Sequence, residues 1–333
     1  MKWKYYLLAL FLSGCGLSQS TPPRQDPLIG KIYHQSGREM SADEITKSLP
    51  KYDVIYLGEN HDNRQQHQLQ IKLIKELIAL GKKPTIAMEF FHQAQTPILM
   101  SYVKGKALKK PHQEKERFKK LRKQLGWKDV PDSYWEDYSA FIQLARDHNL
   151  NIFGADISRA LAFRMTQVGR KGLTKLEREL TPKTDFQNPA YEALMKEYFT
   201  AGHCGWSQPD LLDRLYGAWL ARNQAMANAI VSMKSYNQPI VVIIGTGHAE
   251  YNMAVFERVQ RLRPGYRQLN LGFREIARKP TPLKQYLQGI RVAGNRFPSK
   301  HEIFWFTDRS HWEDPCEKYK ESLKKHQKGK KNE

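Results

Sequence analysis

Two histidines and three carboxylates each follow closely on a short apolar run. Val54 to Leu57 leads into Gly58-Glu59-Asn60-His61, Thr85 to Met88 into Glu89, Ile152 to Gly154 into Asp156, and Ile240 to Ile244 into Gly245-Thr246-Gly247-His248. Imidazoles beside carboxylates can ligate a transition metal, or one imidazole can act as a general base oriented by an acid. Taken singly, a strand-end acid caps the next helix as often as it does chemistry, and a lone histidine is more often a packed core residue. Four runs ending in the same way point to one pocket of Glu59, His61, Glu89, Asp156 and His248. His61 and His248 are expected to meet across one sheet edge. Alanine at Glu59, His61 or His248 is expected to cost little stability, because the core beneath stays packed. A Gly-rich phosphate loop, a Gly-x-Ser-x-Gly elbow and a Cys-x-x-Cys pair are all lacking, which argues against a nucleotide enzyme or serine hydrolase.

The elements that must carry these residues are legible as an α/β pattern, a mostly parallel sheet flanked by helices. Strands are expected at Val54 to Leu57, Thr85 to Met88, Ile152 to Gly154, Ile240 to Ile244 and Gln268 to Leu271, and a last one within His301 to Trp312. In open sheets of this kind, ligands sit outside the carboxyl ends of the strands. Leu69, Leu73, Leu77 and Leu80 recur at helical spacing up to Gly81, giving a strand, helix, strand crossover. Ser41-Ala-Asp-Glu44 offers a capping box, and Pro209 opens a long helix with Leu211, Leu215, Trp219, Arg222, Met226 and Ile230 on one face. A basic helical insertion, acting as a lid over about 97–136, interrupts the pattern.

The chain has 333 residues, 40% of them hydrophobic, enough for one large domain with an insertion, over about 31–312. Its first fifteen residues, MKWKYYLLALFLSGC, carry Lys2 and Lys4, a short apolar stretch, and Leu-Ser-Gly-Cys. The stretch is shorter than the about 20 residues that span a bilayer, so it reads as the apolar region of a signal peptide. Leu-Ser-Gly-Cys resembles a lipobox, which implies that 1–15 is a lipoprotein signal ending at a lipidated Cys15, the alternative being an ordinary secretory signal with a chance cysteine. Two or more acyl chains anchor stably where one does not. Residues 16–30 then form a tether, and the expected location is the cell envelope, lipid-anchored at the outer membrane. Cys204 and Cys316 suffice for one bridge in an oxidising compartment, but sequence does not pair them. The net charge of +20 gathers in the insertion and in the tail, 313–333. Export argues against nucleic acid as the partner, leaving solvated faces or attraction to anionic lipid or an acidic ligand.

With LGENHDN, IAMEFF, GHCGWSQPDLLDRLYGAWLARNQAMA and GTGHAEY in view, the chain resembles the ChaN-like haem-binding lipoproteins from about Tyr52 to Leu271. That family shares a superfamily with Tiki-type metalloproteases and erythromycin-esterase-like hydrolases. The resemblance implies haem or iron handling at the cell surface and allows a homodimer that shares its ligand site. It places Glu59, His61, Glu89, Asp156 and His248 in the superfamily's shared pocket, and His203 with Cys204 in a motif that looks like a buried pair. Haem iron takes His or Tyr ligands, so the candidates beside these motifs are Tyr216, Tyr198, Tyr251 and His203, with propionates met by Lys, Arg or His. The alternative is a hydrolase, in which a divalent metal or the histidines serve the pocket.

Overall fold

The structure, a computed structural model, describes residues 26–184, 186–233, 238–314 and 316–317. The expected signal, Cys15 and most of the tether lie outside the described residues, as does nearly all of the basic tail. In chain order the elements are β1 (Ile32–His34), β2 (Glu39–Met40), α1 (Ala42–Ser48), β3 (Val54–Glu59), α2 (Arg64–Ala79), β4 (Thr85–His92), α3 (Thr96–Lys104), α4 (Pro111–Gln124), α5 (Asp132–Asp147), β5 (Ile152–Asp156), α6 (Arg159–Val168), α7 (Lys175–Glu179), α8 (Pro189–Gly202), α9 (Pro209–Ser232), β6 (Ile240–Gly245), α10 (Val255–Leu262), β7 (Gln268–Glu275), α11 (Leu283–Leu287), β8 (Ile290–Val292), β9 (Asn295–Phe297) and β10 (Ile303–Thr307). The sheet runs β2-β1-β10-β7-β3-β6-β4-β5. From β10 to β5 all pairs are parallel, and β1 and β2 add an antiparallel edge.

Strand periodicity sorts the core into two layers, since alternate residues face opposite sides of a sheet. Ile55, Leu57, Ile86, Met88, Val241 and Ile243 pack with α2, α3, α4 and α5. Val54, Tyr56, Ala87, Val242 and Ile244 pack with α9 and α10 on the other face. The strands are buried on both faces, which is why they read as unbroken apolar runs. The inserted helices are part of this packing: Leu99, Tyr102, Leu121, Leu125, Trp127 and Trp135 lie in the same buried cluster as the strands. Ser41 caps α1 in a complete capping box, and Pro209 opens α9.

Two details of the sheet shape the region beyond its carboxyl edge. β6 slots between β3 and β4, so the expected crossover spans a strand that enters much later in sequence. The chain leaving β3 turns into α2 on one face, and the chain leaving its neighbour β6 turns into α10 on the other. Adjacent strands that depart to opposite sides open a crevice between them. The second detail is that β4 does not stop at Met88 but runs to His92. Its pairing with β5 moves from Met88 opposite Gly154 to His92 opposite Asp156, a bulge of extra residues in β4 beside Glu89.

Candidate functional site at the carboxyl edge of the sheet

Glu59, Glu89, Asp156, His61 and His248 converge at the carboxyl edge of four contiguous strands, β3-β6-β4-β5. The two histidines meet as expected, through a carboxylate: His248 Nε2 lies 3.2 Å and His61 Nε2 4.0 Å from the same Glu89 oxygen. Gly245 permits this approach. A Cβ there would stand 2.5 Å from His61 Cε1, closer than any side chain tolerates.

The two glutamates point into opposite layers. Glu59 shares the side of Ile55 and Leu57, where Tyr138 of α5 donates to its Oε1 at 2.5 Å and His67 of α2 lies 3.4 Å from its Oε2. His61 Nδ1 faces the same Oε1 at 3.2 Å. A carboxylate oxygen only accepts, so His61 carries its proton on Nδ1. Burial pushes Glu59 up, but His61 and His67 pull it below the usual range. The Tyr138 phenol is driven far up by burial and by Glu59.

Glu89 faces the other layer, where its Oε2 accepts from the Gly245 N–H at 2.6 Å and its Oε1 from Arg222 of α9 at 2.7 Å. Arg222 also donates from Nε to Asp156 Oδ2 at 2.7 Å. Burial opposes ionisation of Glu89, yet His248, His61 and Arg222 together hold it well below the ordinary carboxylate range. Asp156 goes the other way, pushed up to about 6 by burial against the pull of Arg222. His248 is pushed down to about 4 by burial, and its ring stacks on Trp219 at 3.8 Å.

A neutral His248 facing ionised Glu89 must carry its proton on Nε2, which leaves Nδ1 as an acceptor. Nδ1 lies 2.6 Å from Asn223 Oδ1, while Asn223 Nδ2 has no partner. Turning the amide by 180° resolves the first conflict, because Nδ2 then donates to His248, and it leaves a buried acceptor unpaired in place of a buried donor.

Exposure separates these residues. His61 keeps 43% of its side chain exposed, against 0% for Glu59, 5% for Glu89 and 4% for His248. The exposure on which the alanine expectation rested is present at His61 and absent at Glu59 and His248, which are buried with buried partners. Burial pushes the His61 imidazole down, but Glu59 and Glu89 raise it further than burial lowers it. His61 is thus an accessible imidazole oriented by a buried acid, able to exchange a proton through Nε2. Among the described residues no group of three or more His, Cys, Asp and Glu is arranged to hold a metal ion. Arg222 fills the space between Glu89 and Asp156 with its own positive charge.

The four haem-ligand candidates do not join this edge. Tyr198, Tyr216 and Tyr251 lie in or against a separate cluster of α8, α9 and the β8–β9 hairpin. Tyr251 is 1% exposed, and its hydroxyl is 2.6 Å from that of Tyr198. Burial pushes the Tyr216 phenol up to about 12. His203 differs. The expected buried pair is not formed: His203 is exposed at the end of α8, and Cys204 bonds to Cys316. His203 Nδ1 lies 2.6 Å from the Phe199 carbonyl oxygen. A carbonyl only accepts, so Nδ1 holds the proton and Nε2 offers a free lone pair, the arrangement of a ligating histidine. Trp206 beside it is 57% exposed. A neighbouring cleft, of about 380 Å3, is lined by Lys196, Glu197, Thr200, Gly205 and Leu212, and by neither His203 nor Trp206. An open imidazole therefore stands next to an exposed indole.

Sequence reasoning missed His67, Tyr138 and Asn223, and took Trp219 and Arg222 as packing positions. Arg222 carried a usable signal: a charge within the apolar stripe of a buried helix calls for a buried carboxylate partner.

The family model described as "Haem-binding uptake, Tiki superfamily, ChaN" matches residues 45–259. No curated protein matches. Among solved structures, that of ChaN from Campylobacter jejuni, described as binding haem cofacially, is similar with a TM-score of 0.60 at 17% identity, over 82% of this chain and 95% of that one. A mutant erythromycin esterase in its open conformation aligns with a TM-score of 0.47 at 11% identity, over 82% and 95%. The type III effector HopBA1 gives 0.43 at 14%, over 80% and 92%.

Proposed function

The chain belongs to the ChaN family of haem-binding uptake proteins in the Tiki superfamily, and on that premise we propose that it binds haem in the cell envelope as part of haem or iron acquisition. The observation that carries the proposal is His203, an exposed residue whose Nδ1 is engaged by the Phe199 carbonyl, which leaves Nε2 as the ligating nitrogen beside exposed Trp206. Bound haem would supply an iron centre there, with His203 as its protein ligand. The Cys204–Cys316 disulfide beside it supports an oxidising compartment. The Leu-Ser-Gly-Cys sequence ending at Cys15 supports a lipid anchor at the outer membrane. Among the described residues no helix is long and apolar enough to cross a membrane. A ligand residue exposed on the surface also suits a homodimer in which two haems face each other, which a site enclosed in the core would not allow.

Titration of the full chain with haemin, followed by Soret absorption, tests the proposal. His203→Ala should weaken saturable binding at least as much as loss of an outer-shell metal partner does, roughly 10- to 100-fold. His61→Ala should bind as the parent does. Parent-like binding by His203→Ala, with loss in Tyr251→Phe or Tyr198→Phe, would move the ligand to the tyrosine pair. One observation favours a second reading, a histidine-assisted hydrolase: the exposed His61 imidazole is oriented by buried Glu59. Any ester hydrolysis that the parent shows should then vanish in His61→Ala while haem binding persists.

A further inference from the structure

Helix α4 carries the densest run of positive charge in the described chain, and its two kinds of basic residue do different things. From Lys104 to Lys128 there are eleven Lys and Arg against Glu114 and Glu116. The arginines hold the insertion together: Arg117 donates to the Lys106 carbonyl at 2.8 Å, and Arg122 to the Trp127 carbonyl at 3.0 Å. The lysines are left outside. Phe118, Leu121 and Leu125 turn one face of α4 into the core, and at 100° per residue Lys119, Lys120 and Lys123 lie on the opposite face. All three are exposed, and none has an ion-pair partner among the described residues. With Arg122 and Lys128 they line an open cleft of about 410 Å3, in which Glu116 is the one acid. Lysines spaced three and four apart repel one another along a helix, so the arrangement gains from an anionic partner.

We propose that this face of α4 docks the protein on an anionic lipid surface. The chemistry favours lipid headgroups over nucleic acid. Lysines act as compact point charges without the fork that Arg presents to a single phosphate, and among the described residues the face has no exposed Phe, Tyr or Trp on which a base could stack. A broad row of lysines instead suits a plane of phosphates. The docking is independent of haem binding.

The test is sedimentation with vesicles of phosphatidylcholine alone, and of phosphatidylcholine with phosphatidylglycerol. The full chain carrying Cys15→Ser is used, so that no acyl anchor contributes. The triple variant Lys119→Gln, Lys120→Gln, Lys123→Gln should bind phosphatidylglycerol vesicles at least about tenfold more weakly than its parent. A charge-matched triple on α2 and the following turn, Lys72→Gln, Lys75→Gln, Lys83→Gln, should lose less than about threefold. Circular dichroism melting checks that both triples remain folded. Equal losses in the two triples would reduce the effect to net charge and overturn the proposal. So would binding by the parent that does not depend on phosphatidylglycerol, or α4-dependent binding seen with heparin and not with vesicles.

Discussion

Asp156 and His248 titrate in opposite senses over the same pH range. Folding depresses His248 from 6.5 to about 4, so the stability that this neutral imidazole contributes is complete above about pH 6.5 and is lost as pH falls toward 4. Folding raises Asp156 from 3.8 to about 6. Its charged form is therefore a burden above pH 6, relieved as pH falls below 6. Each effect is on the order of 3 kcal/mol, and between pH 6.5 and 4.5 they largely offset each other. Glu89, held low, adds its own acid loss only below the unfolded value of 4.5. Asp156→Asn removes the compensating half. Its urea unfolding free energy should fall more steeply between pH 6.5 and 4.5 than the parent's. Equal slopes in the two proteins would show that Asp156 does not titrate in that window.

One turn of α9 supplies the other half of the edge: Trp219 stacks on His248, Arg222 bridges Glu89 and Asp156, and Asn223 meets His248. Residues three and four apart share a helix face, so a rigid helix across the sheet can fix three contacts at once. Arg222→Ala leaves two buried carboxylates beside each other without their cation. The expected loss is about 3–5 kcal/mol in urea unfolding at pH 7, and a loss below about 1 kcal/mol would mean that water replaces the guanidinium. The carboxyl edge was legible because each strand announces itself as a doubly buried apolar run and each site residue lies close after that run, even at Glu89, where β4 itself continues to His92. Partners drawn from other elements were not. His67 and Tyr138 have no sequence pattern that points at Glu59, and the β4 bulge depends on pairing with β5. The two- and three-residue strands β1, β2, β8 and β9 are too short for alternation to register. The open nitrogen of His203 depends on a turn that the sequence suggested would be buried.

The Cys204–Cys316 bond acts on the molecule as a whole. It ties the turn between α8 and α9 to the segment after β10, across a sequence separation of 112 residues. The loop it closes runs from α9 through β10 and includes α10, α11 and the β8–β9 hairpin, so it joins the turn after α8 to the chain leaving β10. Other contacts also fix that segment: Arg278 donates to the carbonyls of Trp312 and Glu313, and Ser310 to Glu275. The stretch up to Glu313 is thus placed by other contacts as well, and the bond adds a constraint on the unfolded chain. Closing a loop of this length lowers unfolded-state entropy by an amount worth up to about 4–5 kcal/mol in the chain-entropy model, with about 2–4 kcal/mol typical in practice. Urea unfolding with and without dithiothreitol should show a loss in that range for the parent. Cys204→Ser should be as unstable as the reduced parent and should not respond to reductant. If the reduced parent, with both thiols confirmed by a thiol assay, unfolds at the same urea concentration as the oxidised protein, the bond does not stabilise the fold. The contacts of Arg278 and Ser310 would then be what holds the segment beside His203.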